Sequence, residues 1–138
     1  MKKLILIAAA LVFGAGAASA QDMAQATDTY NSGAAALSHG EKASAIEFFT
    51  KAIKEAEACG EEGAEIIANC KNVIPTIVLS IAKDLVKDAN YTEAFAKIDE
   101  AKKVAAEYAS EEVATEAAEL LPQVKKLYAK SLFDGKDY

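Results

Sequence analysis

The chain has 138 residues, 15 basic and 21 acidic side chains, a formal net charge of −6 and 52% hydrophobic residues. Length and apolar content fit one modest domain. Every basic residue is a lysine, so there is no bidentate guanidinium fork for phosphate, and the acidic balance repels nucleic acid and anionic membrane surfaces.

The first twenty residues read as an export signal. Lys2 and Lys3 give a positive start, Leu4 to Phe13 an apolar run, and Ala18-Ser19-Ala20 a small-residue cleavage site. The run is shorter than the roughly 20 residues a membrane-spanning helix needs. Gln21 rather than cysteine follows the cleavage point, so no lipid anchor is expected. The exported chain, residues 21–138, is expected to be soluble and periplasmic or secreted, with no later apolar run long enough to span a bilayer. Cys59 and Cys70 flank the segment Gly60-Glu61-Glu62-Gly63. Cys59 borders that turn and Cys70 lies about two helical turns beyond it, a mismatch that argues against a bridge and for two small semi-buried residues. An oxidising compartment keeps a disulfide as the alternative.

From residue 22 to 38 the pattern is helical, with Tyr30, Ala34 and Leu37 at three- and four-residue spacing. Gly40 ends this helix, since glycine takes the left-handed conformation readily. A second helix follows over residues 41–58, with Glu41 at its start and Lys51 and Lys54 towards its end, as the helix dipole favours. Ala45, Phe49 and Ala52 share one of its faces. A longer segment, 64–88, contains Pro75. One helix kinked at the proline is expected, with two separate helices as the alternative. The fourth helix, 91–109, carries Ala94, Ile98 and Ala101 on one face. Ser110 then offers an N-cap, and Glu111 and Glu112 open a fifth helix that runs to 133 with Pro122 inside it. No alternation signals a strand, so the fold is expected to be all-α, with about five helices after the signal.

The chain also matches itself. A shift of 47 aligns Pro75 with Pro122, Ala82 with Ala129, Lys83 with Lys130, Leu85 with Leu132 and Tyr91 with Tyr138; a shift of 49 aligns Ala45 with Ala94, Phe49 with Ile98 and Ala52 with Ala101. The stretch from Tyr30 to Glu55 resembles a tetratricopeptide repeat, the helical hairpin that packs on small residues at fixed points. Gly33, Gly40, Ala45 and Ala52 fall at its small and turn positions, and Phe49 at the large residue between them. The second unit matches through Ala82, Leu85, Tyr91, Ala94, Ile98 and Ala101, with Ala89 in place of the turn glycine. Two features depart from the family: the spacing is 47 to 49 rather than 34, and no proline follows Ile53 or Val104.

The resemblance implies stacked antiparallel hairpins, an α-solenoid with units at about 22–58, 64–109 and 111–138, the last unfinished. It implies a concave face formed by the first helix of each unit and suited to a protein or peptide segment. Positions on that face are Tyr30, Ala34 and Leu37 in the first unit, Leu79, Lys83 and Val86 in the second, and Lys126, Lys130 and Phe133 in the third, flanked by Thr27, Ser38, Thr76 and Lys87. Where related arrays hold a C-terminal carboxylate with lysine, asparagine and arginine, this chain has Tyr30, Ala34, Ser80, Gln123 and Leu127, so that activity is not implied.

No catalytic constellation stands out. His39 is alone beside a turn glycine, the serines lack a nucleophile elbow, and no glycine-rich phosphate loop or zinc-spaced cluster occurs. No cofactor or metal is expected. The expected function is therefore an exported, non-enzymatic scaffold for protein–protein interaction. The alternative is a self-associating structural module that uses the uncovered helix at 111–133, whose Leu120, Leu121, Val124, Leu127, Tyr128, Leu132 and Phe133 make an apolar surface.

Overall fold

The computed structural model describes residues 17–135, with side chains from Gln21 onward. The export signal read at residues 1–20 and the match at Tyr138 therefore fall outside what is described of side chains. Five α-helices account for nearly all of the described chain: α1 (Ala17–Ser38), α2 (Lys42–Glu57), α3 (Ala64–Lys87), α4 (Tyr91–Glu107) and α5 (Glu111–Asp134). A 3-10 turn, Gly60–Gly63, stands before α3, and no strand occurs among the described residues. The fold is all-α, and its helices pack as antiparallel hairpins.

Each expected helix is present with its ends moved by a few residues. α1 begins earlier than expected, at Ala17 rather than near residue 22. α3 is one helix that continues through Pro75, not two. Length and composition alone would also let the segment Gly60–Lys87 cross a membrane, which corrects the expectation that no such stretch follows the signal. Its apolar residues Ile66, Val73, Ile74, Ile77, Val78 and Leu79 are buried within the protein, as in a core helix.

Three of the connections are built by one device. After α1, the Gly40 N–H donates to Leu37 O (3.0 Å) and the Glu41 N–H to Ala36 O (2.8 Å). Ala89 and Asn90 do the same to Val86 O and Leu85 O (3.0 and 2.8 Å), and Ala109 and Ser110 to Ala106 O and Ala105 O (3.4 and 2.7 Å). This is the Schellman closure, in which the residue after the helix turns left-handed and the next one closes back on the last turn. Gly40 has φ 79°, and the alanines have φ 59° and 56°. The closing residue then begins the next helix: the carbonyls of Glu41, Asn90 and Ser110 accept from Ala45, Ala94 and Ala114. Ser110 thus holds the N-cap position through its backbone, with no side-chain cap bond.

Two compact units divide the chain between Ile74 and Pro75, inside α3. The first comprises α1, α2 and the first half of α3; the second comprises the second half of α3, α4 and α5. Their cores follow the same plan. Ala26, Tyr30, Ala45, Phe49, Ala52 and Ala56 are buried in the first unit, and the residues 49 further on, Pro75, Leu79, Ala94, Ile98, Ala101 and Ala105, are buried in the second. Past that point the offset is 47: Ile66 and Cys70 correspond to the buried Val113 and Ala117. The change arises in the last connection, where Ala58–Gly63 in one unit is matched by the shorter Tyr108–Ser110 in the other.

The longer connection depends on close backbone approach. Gly63 is buried, and a Cβ there would meet the backbone carbonyl of Ala56, with its carbon at 2.6 Å. Gly33 plays a similar part in the α1–α2 hairpin, where an added Cβ would lie 2.8 Å from the Phe49 ring and 3.2 Å from Phe48 Cβ. Phe49 in turn meets Tyr30 at 5.5 Å between ring centroids, the tilted arrangement aromatic pairs favour.

Candidate functional site

The residues expected on a concave face do not share one environment. Tyr30 and Leu79 are core residues, 1% and 2% exposed, and have no surface to offer a partner. That corrects their assignment. In the first unit the α1–α2 hairpin and the first half of α3 enclose Tyr30, and Cys70 and Glu65 on α3 lie near enough to affect its hydroxyl. Burial, with smaller contributions from those two groups, pushes the Tyr30 phenol up from 10.0 to about 12. The hydroxyl is buried with no protein hydrogen-bond partner, as are Thr27 Oγ1 and Glu55 Oε1. The other Glu55 oxygen accepts from Gln25 Nε2 at 2.6 Å.

Ala34 and Leu37 on α1 remain half-buried, with Ser38 exposed beside them. In the second unit Val86 is half-buried, while Lys83 and Lys87 are exposed on α3. Lys83 Nζ reaches Glu116 Oε2 on α5 at 2.8 Å, so the second half of α3 and the first half of α5 stand side by side. Lys126 and Lys130 are exposed on α5, and Phe133 is 68% exposed. Two surfaces therefore survive from the expected face: Ala34, Leu37 and Ser38 in one unit, and Lys83, Val86 and Lys87 with the lysines of α5 in the other.

α5 is anchored over its first two-thirds. Val113, Ala117 and Val124 are buried, and Tyr128 packs on Tyr91 (5.9 Å) and edge-on to Phe95 (5.6 Å). Beyond Tyr128 it presents Leu132 at 51% and Phe133 at 68% exposure, and Leu127 just before it is 43% exposed. Charge is segregated along the same helix: Glu111, Glu112, Glu116 and Glu119 precede Lys125, Lys126 and Lys130.

Both cysteines carry free thiols. Cys70 is buried, which pushes its thiol up from 9.0 to about 12. The Cys59 thiol is also raised, first by burial and then by Asp22, Glu62 and Glu55, and it donates weakly to Glu55 O at 3.4 Å. Raised thiols are poor nucleophiles, because the thiolate is the reactive form. Among the described residues no group of three or more His, Cys, Asp or Glu could hold a metal ion. Compared with family models, curated proteins and solved structures, the chain matches none.

Proposed function

We propose that the protein is an exported, non-enzymatic scaffold of the tetratricopeptide type that holds a segment of another protein against the first helices of its units. The observation that carries this reading is the small–large–small face of the second helices, Ala45-Phe49-Ala52 and Ala94-Ile98-Ala101: all six residues are buried.

This reading has two binding surfaces, one in each unit: Ala34, Leu37 and Ser38 on α1, and Lys83, Val86 and Lys87 on the second half of α3. Half-buried apolar residues supply anchors for a partner, and exposed lysines favour acidic residues around them. A displayed random-peptide library panned against the protein tests it. Each peptide selected on the native protein should lose binding to Leu37→Glu or to Val86→Glu, according to which surface it uses, with both variants checked for an unchanged helical circular-dichroism spectrum. Leu79→Glu is unsuitable, because it would place a charge in the core. Selected peptides that bind both folded variants as well as the native protein would refute both surfaces.

A further inference from the structure

We infer that α5 is a self-pairing surface on which a second copy of this chain docks its own α5, antiparallel, about a two-fold axis near Gln123. At about 100° per residue, Glu116, Glu119, Gln123, Lys126, Leu127 and Lys130 fall within one sector of the helix about 100° wide, with Leu120 at its edge. Glu119, Gln123, Lys126, Leu127 and Lys130 are exposed, and the Glu116 side chain keeps 43% of its surface open despite its bond to Lys83. The sector is acidic before Gln123 and basic after it.

That order is what an antiparallel copy complements. Rotation about Gln123 sets Glu116 opposite the partner's Lys130, Glu119 opposite the partner's Lys126, and Leu127 opposite the partner's Leu120. Each pair occurs twice by symmetry, as a closed isologous interface requires. Parallel docking would instead set acid against acid and lysine against lysine, so the charges fix the direction. The helix dipole favours acids in the first turn and bases in the last, but it does not explain this sector. Glu116 and Glu119 lie past the first turn, and no lysine lies in the last one. One helix pair buries less than the roughly 1,200 Å² of a stable interface, so the dimer is weak and salt-sensitive. The pairing face borders the second-unit surface proposed above, because its Glu116 holds Lys83, but neither reading requires the other.

Sedimentation velocity over a wide concentration range tests it. At low salt the native protein should move from monomer towards dimer as concentration rises, and high salt should return it to monomer, because exposed charges are screened. Lys126→Glu with Lys130→Glu should stay monomeric. So should Glu116→Lys with Glu119→Lys. An equimolar mixture of those two variants should regain the dimer, since every facing pair is again of opposite sign. Gln123→Lys, an exposed substitution that sets like charges across the axis, should weaken the native dimer without affecting the fold. A native protein that stays monomeric at low salt, or a dimer that keeps its affinity in the Lys126→Glu/Lys130→Glu variant, overturns the inference.

Discussion

The two units solve one packing problem with different side chains. In the first, the buried positions of the hairpin hold Tyr30, Gly33 and Phe49; the residues 49 further on are Leu79, Ala82 and Ile98. A pair of aromatic rings needs more room than two aliphatic side chains, and the glycine supplies it, because a Cβ at Gly33 would press on the Phe49 ring. With aliphatic residues at both large positions, the second unit accommodates alanine. The alanines at 45, 52, 94 and 101 do not vary between units, and all four are fully buried. What is held constant is the closeness of the helices, and what varies is how the space beside that contact is filled.

The connections differ in the same way. Ala58–Gly63 brings a 3-10 turn so close to α2 that only glycine fits at position 63, whereas Tyr108–Ser110 makes a plain closure with a left-handed alanine. Gly63→Ala should therefore be the most damaging single methyl in the protein. The obstacle is backbone, which yields less than a side chain, so a loss of about 3 kcal/mol is expected, the upper end of overpacking costs. Urea denaturation would measure it; a loss below about 1 kcal/mol would mean that the turn is free to move away.

The two cores also differ in their response to pH. The first core contains two titratable groups, Tyr30 and Cys70, where the second has Leu79 and Ala117. Both groups have raised values in the folded state, from 10.0 and 9.0 to about 12. Between the unfolded and folded values the native protein holds protons that the unfolded chain releases, so stability falls as pH rises. It should be level below pH 9 and decline from there towards pH 12. Tyr30→Phe should make the decline above pH 10 shallower. Below pH 9 the same variant should be as stable as the native protein or more so, because it removes a buried hydroxyl that has no protein partner. Urea midpoints measured across that range check both statements, and identical alkaline slopes for the two proteins would place the loss elsewhere.

Much of this architecture can be read in the residues. Three- and four-residue spacing marks the helices, Gly40 marks the first turn, and Ala45-Phe49-Ala52 marks a face that packs closely. Other features leave little trace. Ala109 turns left-handed with no sign of it in the sequence, and Ala89 does so where only the repeat alignment marks a turn; in each case a conformation costing about 1 kcal/mol is held by two backbone hydrogen bonds. The unit boundary falls inside a continuous helix at Pro75, which the sequence marks as a kink or a new helix but not as a division between two cores. Tyr30 and Leu79 read as groove residues because the resemblance assigns the first helix of each unit to an open face, and it does not show which of that helix's residues the rest of the unit covers. In the first unit the groups that act on Tyr30, Cys70 and Glu65, are on α3, 40 and 35 positions along the chain and outside any local window.

A double-mutant cycle on Gly33 and Phe49 tests most directly the claim that the two units are one design filled in two ways. Gly33→Ala alone should cost about 1–2 kcal/mol, the overpacking against Phe49 exceeding the gain in helix propensity. Phe49→Ile alone should cost about 1–2 kcal/mol through the space it leaves. Together they reproduce the alanine and isoleucine of the second unit, so the pair should be more stable than the sum of the single changes predicts, by about 1 kcal/mol or more. Strictly additive losses would contradict the claim, because they would mean that the glycine and the phenylalanine are not fitted to each other.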